Sequence, residues 1–270
     1  MGKLPMDLHS HSIHSMDGNN TAAEMCAAAF AAGVEIYAIT DHCDVDCWER
    51  YDLAKAVPSS VADIEACQKA YTGRMKVLTG LELGQPLTRP ELSNKVLKEH
   101  RFDLVLGSVH NVKDRPDFYY MDFQDQSLDL NLELELYFQS LLEMIRWGGA
   151  DVAAHITYPF RYILERIKEP YNFRRWDDHL EEVVRLLAEK GMGLEINTSG
   201  IKKKPPFLMP EERWARRYRE LGGENLTLGA DAHFPQDVGS GIERGLAAAR
   251  AAGFRWLCWY EDRRPRHIKL

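Results

Sequence analysis

The stretch Asp7-Leu8-His9-Ser10-His11-Ser12 decides how the rest of this chain is read. It lies in a short β-prone run, Met6–Ser12, where side chains two apart point to the same face. His9 and His11 therefore present two imidazoles to one point. Asp7 shares their parity and is placed to orient one ring from behind. Alone the motif is weak; its weight comes from what repeats downstream.

Outward from it, short β-rich runs alternate with helical stretches. The strands expected are Met6–Ser12, Glu35–Thr40, Lys76–Leu83, Leu104–Val109, Asp151–Ile156, Gly193–Asn197 and Leu226–Ala230. The helices expected are Thr21–Ala32, Ser60–Tyr71, Glu91–His100, Leu128–Trp147, Asp177–Lys190, Pro210–Leu221 and Gly241–Ala252. Asn20 or Thr21 suits the first N-cap, Gly33 its stop, and Pro210 a first helical turn. Alternation of this kind implies parallel strands joined by right-handed crossovers, hence an α/β barrel. Seven units are counted, one short of the regular eightfold barrel, and no linker divides residues 1–270, which read as one domain. Two long irregular stretches, Asn111–Ser127 and Thr157–Trp176, read as lids or substrate contacts.

Histidines then fall where a barrel builds its active site, at the C-terminal ends of strands. His9, His11, His42, His110, His155 and His233 all do so, from five strands, among ten histidines in the chain. Asp17 follows the first pair, Thr40-Asp41-His42 closes the second strand, and Asp231 shares two-residue parity with His233. Glu82 stands alone in Gly80-Leu81-Glu82-Leu83-Gly84; a buried carboxylate there needs cations, and a bridging metal position would satisfy it. Nine such groups are too many for one ion, so two or three divalent ions are expected. Mixed imidazole and carboxylate donors suit Zn, Mn or Fe.

The order of these elements resembles the PHP (polymerase and histidinol phosphatase) superfamily: DxHxHS, S-x-D-G, TDH, a strand-borne Glu, two separate histidines, then D-A-H. The resemblance spans about residues 7–233. It implies a distorted seven-stranded (β/α)7 barrel with a trinuclear metal site at the C-terminal ends of its strands. Carried over, His9, His11, Glu82 and Asp231 hold a first metal, Glu82, His110 and His155 a second, and Asp17, His42 and His233 a third. Within the superfamily the chain most resembles stand-alone histidinol phosphatases, by length, by Glu195–Gly200 and by its ending Arg263–Leu270. That implies a cytoplasmic hydrolase of histidine biosynthesis, releasing phosphate from L-histidinol phosphate by attack of a metal-activated hydroxide.

A phosphate dianion asks for further positive charge. Arg161 lies in the stretch after His155 and, by the resemblance, grips phosphate; Lys203 is a second candidate. Asp231 and His233 are candidates for giving the leaving alkoxide its proton. Asp44 and Asp46 suit either a substrate amine or a solvated turn. His14 reads as a loop histidine outside the metal chemistry, and Trp256 and Trp259 as core or barrel-closing residues.

Composition narrows the alternatives. A net charge of −7 disfavours a broad nucleic-acid surface. Five cysteines without a paired motif read as reduced thiols, so Cys43 and Cys47 do not make a zinc knuckle. No signal-like N-terminus or membrane-length apolar run appears. A small phosphorylated substrate is the partner expected. The rivals are a PHP phosphoesterase acting on nucleotides or oligonucleotide ends, an inactive PHP scaffold, and a metal-dependent amidohydrolase.

Overall fold

The computed structural model describes residues 3–167 and 170–270. Eight parallel strands form its main sheet: β1 (Leu4–Asp7), β2 (Val34–Ile39), β3 (His42–Asp44), β4 (Lys76–Gly84), β5 (Leu104–Ser108), β6 (Val152–Ala153), β7 (Gly193–Asn197) and β8 (Leu226–Gly229). β2 pairs with the first half of β4 (Ile39 opposite Thr79) and β3 with the second half (His42 opposite Glu82). The two are one stave interrupted at Thr40–Asp41, so the sheet has seven staves, in the order expected of a distorted (β/α)7 barrel. β1 and β8 close it: the Leu8 amide donates to the Leu228 carbonyl (2.9 Å), and Ser10 bridges Ala232.

The closure explains Asp7. It does not orient a ring, as its parity suggests. Its two oxygens accept the amides of Ala230 and Gly239, each at 2.8 Å, and so seam β1 to the chain that follows β8. Burial pushes its carboxyl up to about 6 despite these bonds. Gly229 is needed at the same seam, because a Cβ there would collide with the Cβ of His9. β1 ends at Asp7 rather than Ser12 because the chain beyond it leaves the regular ladder to follow this seam.

Among the described residues, eight α-helices accompany the strands: α1 (Ala22–Ala31), α2 (Leu53–Ala70), α3 (Pro90–Glu99), α4 (Leu130–Trp147), α5 (Tyr158–Arg166), α6 (Asp177–Lys190), α7 (Glu212–Glu220) and α8 (Ile242–Ala251). Thr21 caps α1 with Glu24 in a reciprocal capping box, the stronger form of that signal. α7 starts at Glu212, not Pro210, because Met209 pairs backbone to backbone with Asn197 of β7. The expected loop Thr157–Trp176 contains α5, whose Tyr158-Pro159 start suits a first turn; Lys168 and Glu169 lie outside the described residues. Among the described residues no helix is long and apolar enough to cross a membrane.

The chain ends in an antiparallel hairpin, β9 (Trp256–Glu261) and β10 (Arg264–Lys269), which the alternation of strands and helices did not reveal. Asp262 and Arg263, both at positive φ, form its two-residue turn. The hairpin lies against the N-terminal ends of the staves, opposite the histidines. Arg263 Nε donates to Asp151 (3.0 and 3.1 Å), and its Nη2 donates to the Gly149 carbonyl (2.6 Å). Leu257, Cys258 and Tyr260 are buried and Trp259 packs partly against the core. Trp256, the first residue of β9, is 49% exposed and is not a core residue, although it shares strand parity with the buried Cys258 and Tyr260.

Arg263→Ala leaves the Asp151 carboxylate, itself largely buried, without its cation. A buried pair broken this way costs about 3–5 kcal/mol, reduced here to roughly 1–3 because Arg263 is one-third exposed. Calorimetry should show Tm lowered by several degrees with metal content unchanged; an unchanged Tm contradicts the closing role of the hairpin.

Candidate metal centre

Six histidines meet at the C-terminal mouth of the barrel, around Glu82. This carboxylate lies on β4, completely buried, and touches five imidazoles. Oε2 lies 2.9 Å from His42 Nδ1, 3.3 Å from His9 Nε2 and 3.6 Å from His11 Nε2. Oε1 lies 2.9 Å from His155 Nε2 and 3.1 Å from His110 Nε2. Asp231 continues the cluster, with Oδ1 at 3.3 Å from His11 Nε2 and 3.7 Å from His9 Nε2. His233 reaches Asp17 at 3.0 Å, and His42 reaches Asp17 at 3.6 Å, nearer solvent.

Electrostatics follow from this crowding. Burial alone would raise the Glu82 carboxyl, but His42, His9 and His110 hold it well below the usual carboxylate range. Against its own desolvation, His42 is raised to about 9, chiefly by Glu82. His11 goes the other way, down to about 4, because it is buried between His233 and His42; both its ring neighbours stack at 4.2 Å between centroids.

These atoms fit divalent ions. Among the described residues, buried nitrogens of His9, His11, His42, His155 and His233 and Oε2 of Glu82 have no hydrogen-bond partner. Four trios bring donor atoms within 4.8 Å of one another: His9–His11–Asp231, His9–Glu82–His155, His42–Glu82–His110 and His11–His42–His233. These trios cut across the resemblance-based sets, since His42 faces Glu82 as well as Asp17. Entry of an ion displaces protons from imidazoles raised in this way, so its binding tightens as pH rises.

A family model described as the PHP domain matches residues 7–199, most of the chain. The chain belongs to the PHP domain family. A "Probable histidinol-phosphatase" of Clostridium acetobutylicum is 29% identical over 91% of this chain and 93% of its own length. The "Histidinol-phosphatase" of Lactococcus lactis subsp. lactis is 26% identical over 98% of each chain. The solved structure of the Lactococcus lactis histidinol phosphate phosphatase, complexed with Zn, L-histidinol and phosphate, superposes with a TM-score of 0.82 at 22% identity. That match covers 98% of this chain and 100% of the other. At that identity the likeness shows a shared fold.

In this PHP domain all nine sequence-predicted groups come together. Asp17 is the most solvent-facing, its side chain 52% exposed. Arg161 stands beside them on α5 rather than in a loop. Its Nη1 lies 3.3 Å from Ser199 Oγ and 4.0 Å from Asp231 Oδ2, and its buried Nε, 3.9 Å from Glu165 Oε1, has no hydrogen-bond partner among the described residues. Lys203 is further out, 3.2 Å from Glu165. His14 pairs with Asp63 (2.8 Å) and stays outside the cluster. Asp44 is not in a solvated turn: it is buried, 3.3 Å from His110 Nδ1. Asp46 accepts from Gln85 and Asn111. Cys43 and Cys47 are free thiols.

Several participants escaped the sequence reading. Glu195, on β7, accepts from His9 Nδ1 at 2.7 Å with one oxygen and from the His155 amide at 2.9 Å with the other. Asn197, two residues on and so on the same face, donates towards Glu195 and Asp231 and accepts from Ser199. The same two-residue parity that marks His9 and His11 could have found this pair. Tyr158 lays its ring 5.0 Å from that of His110 and donates its hydroxyl to Asp117 in the Asn111–Ser127 segment. His155 and Asp231 both have positive φ (26° and 53°), a conformation that non-glycine residues keep only where the surroundings enforce it. Their amides are tied to Glu195 and to the His9 carbonyl.

Glu195→Gln keeps the shape but removes the anionic acceptor behind His9. Loss of such an outer carboxylate lowers metal affinity by about 10–100-fold. Chelator competition should show that drop with the fold intact; unchanged affinity contradicts the orienting role.

Proposed function

We propose that this PHP domain is a metal-dependent phosphomonoesterase that hydrolyses L-histidinol phosphate to L-histidinol and phosphate. The observation that carries this reading is the gathering of eight further donor groups around the buried Glu82, with the cationic Arg161 at their edge. Full-length similarity to proteins named histidinol-phosphatase supports the substrate. So does the family likeness to a fold seen with Zn, L-histidinol and phosphate.

In this reading residues 1–270 act as one catalytic domain that holds two or three divalent ions of the Zn, Mn or Fe type. His9, His11, Glu82 and Asp231 hold one, Glu82, His110 and His155 a second, and Asp17, His42 and His233 a third. Bound there, such ions lower the pKa of water and neutralise charge on phosphoryl oxygens. Arg161, whose Nη1 approaches Asp231, donates to the oxygens that gain charge in the transition state. Lys203 adds positive charge at the rim. Asp231 and His233, beside each other at the mouth, are the groups placed to hold or deliver the proton of the leaving alkoxide.

Phosphate release should be measured from L-histidinol phosphate beside a nucleoside 3′,5′-bisphosphate and a bis-aryl phosphodiester. Histidinol phosphate should lead by about a hundredfold in kcat/KM, roughly 2.7 kcal/mol of transition-state binding. Arg161→Ala should lose about 10²–10³-fold in kcat/KM. A nucleotide or diester that reacts faster overturns the substrate, and activity that survives complete metal removal overturns the chemistry.

A further inference from the structure

Behind His11 lies a buried polar hub that the proposed chemistry does not use directly. Its centre is Asp41, at the break between β2 and β3, whose two oxygens take four donors. Oδ1 accepts from the Ser12 amide (2.5 Å) and from Ser15 Oγ (2.9 Å). Oδ2 accepts from Ser12 Oγ (2.8 Å) and from Ser60 Oγ (2.6 Å), the latter on α2. All four residues are buried.

Counting protons fixes the direction of every bond. A carboxylate with four donors on two oxygens is a pure acceptor, so each serine hydroxyl points its hydrogen at Asp41. Ser15 has one hydroxyl hydrogen, and it is used there. Its oxygen is left as an acceptor only. Two groups face that oxygen: the His42 amide at 3.0 Å and His11 Nδ1 at 3.1 Å. Nδ1 of His11 must then carry its hydrogen, which leaves the lone pair on Nε2. That atom is buried, has no hydrogen-bond partner among the described residues and faces Asp231 and Glu82.

We propose that Asp41 and Ser15 are positioning residues, a carboxylate–hydroxyl relay that fixes the Nδ1–H tautomer of His11 and aims its Nε2 lone pair at the metal centre. The inference rests on the proposed metal centre only for its consequence, not for the tautomer. Its logic differs from that at His9, whose Nδ1 meets the Glu195 carboxylate directly at 2.7 Å. A direct carboxylate favours a charged ring. His11 is stacked between His42 and His233, where a further positive charge is unfavourable. A neutral hydroxyl orients the ring without inviting a second proton, and the carboxylate stays one residue removed. Because Ser60 belongs to α2, the hub also ties an outer helix to the ring.

The tautomer can be read in the full-length, metal-free protein labelled with ¹⁵N-histidine, by two-bond nitrogen–proton correlation at neutral pH, with His11→Gln for assignment. Wild-type His11 is expected as the Nδ1–H form. Ser15→Ala should lose that preference and bind Zn²⁺ about 10–100-fold more weakly in chelator competition. A wild-type His11 protonated on Nε2 overturns the relay without any variant. So does Ser15→Ala that keeps wild-type Zn²⁺ affinity. A wild type that binds no Zn²⁺ overturns the proposed function, while the tautomer alone still decides the relay.

Discussion

A carboxylate buried among five imidazoles is the constraint from which the rest of this structure follows. Glu82 has no solvent to stabilise its charge, and an isolated ionised carboxylate in such a place is prohibitively unfavourable. Only a surrounding of cations, protonic or metallic, permits it. The barrel supplies that surrounding by ending its neighbouring staves in histidine. The segment after β1 delivers His9 and His11, β3 His42, and the turns after β5 and β6 His110 and His155. Protons on the raised imidazoles and divalent ions are interchangeable solutions to one charge problem, which is why metal binding and protonation compete here.

Aiming six rings at one volume needs a second layer, and the barrel builds it from different chemistry at each ring. Glu195 stands behind His9, Asp44 behind His110, and Asp41 behind His11 through Ser15. The backbone contributes as well. His155 and Asp231 sit in left-handed conformations that hydrogen bonds to Glu195 and His9 keep in place. The opposite end of the barrel is closed by the β9–β10 hairpin, latched by Arg263 on Asp151, so rigidity and chemistry occupy separate ends.

Much of this was legible because strand parity is a short-range rule. His9 and His11 share a face whatever the tertiary structure, and histidines at five strand ends converge as soon as those strands run parallel in one barrel. The barrel has the seven staves expected, with β2 and β3 as one interrupted stave. Long-range partnership was not legible. Nothing local says that Asp7 accepts two amides across the barrel seam, or that Asp44 is buried against His110. α5 lay inside the stretch read as an irregular loop, although proline at a helix start, as Pro159 is here, is favourable. The hairpin was missed because its strands carry arginines and exposed tryptophan rather than a clean alternation.

The claim that Glu82 joins two ions is tested most directly by anomalous diffraction from crystals of the Zn²⁺-loaded protein. Two or three anomalous peaks per chain are expected, with two of them on either side of the Glu82 carboxylate and within about 2.2 Å of its oxygens. A chain with no ion at Glu82, or with one ion held by a single oxygen and no second nearby, contradicts it.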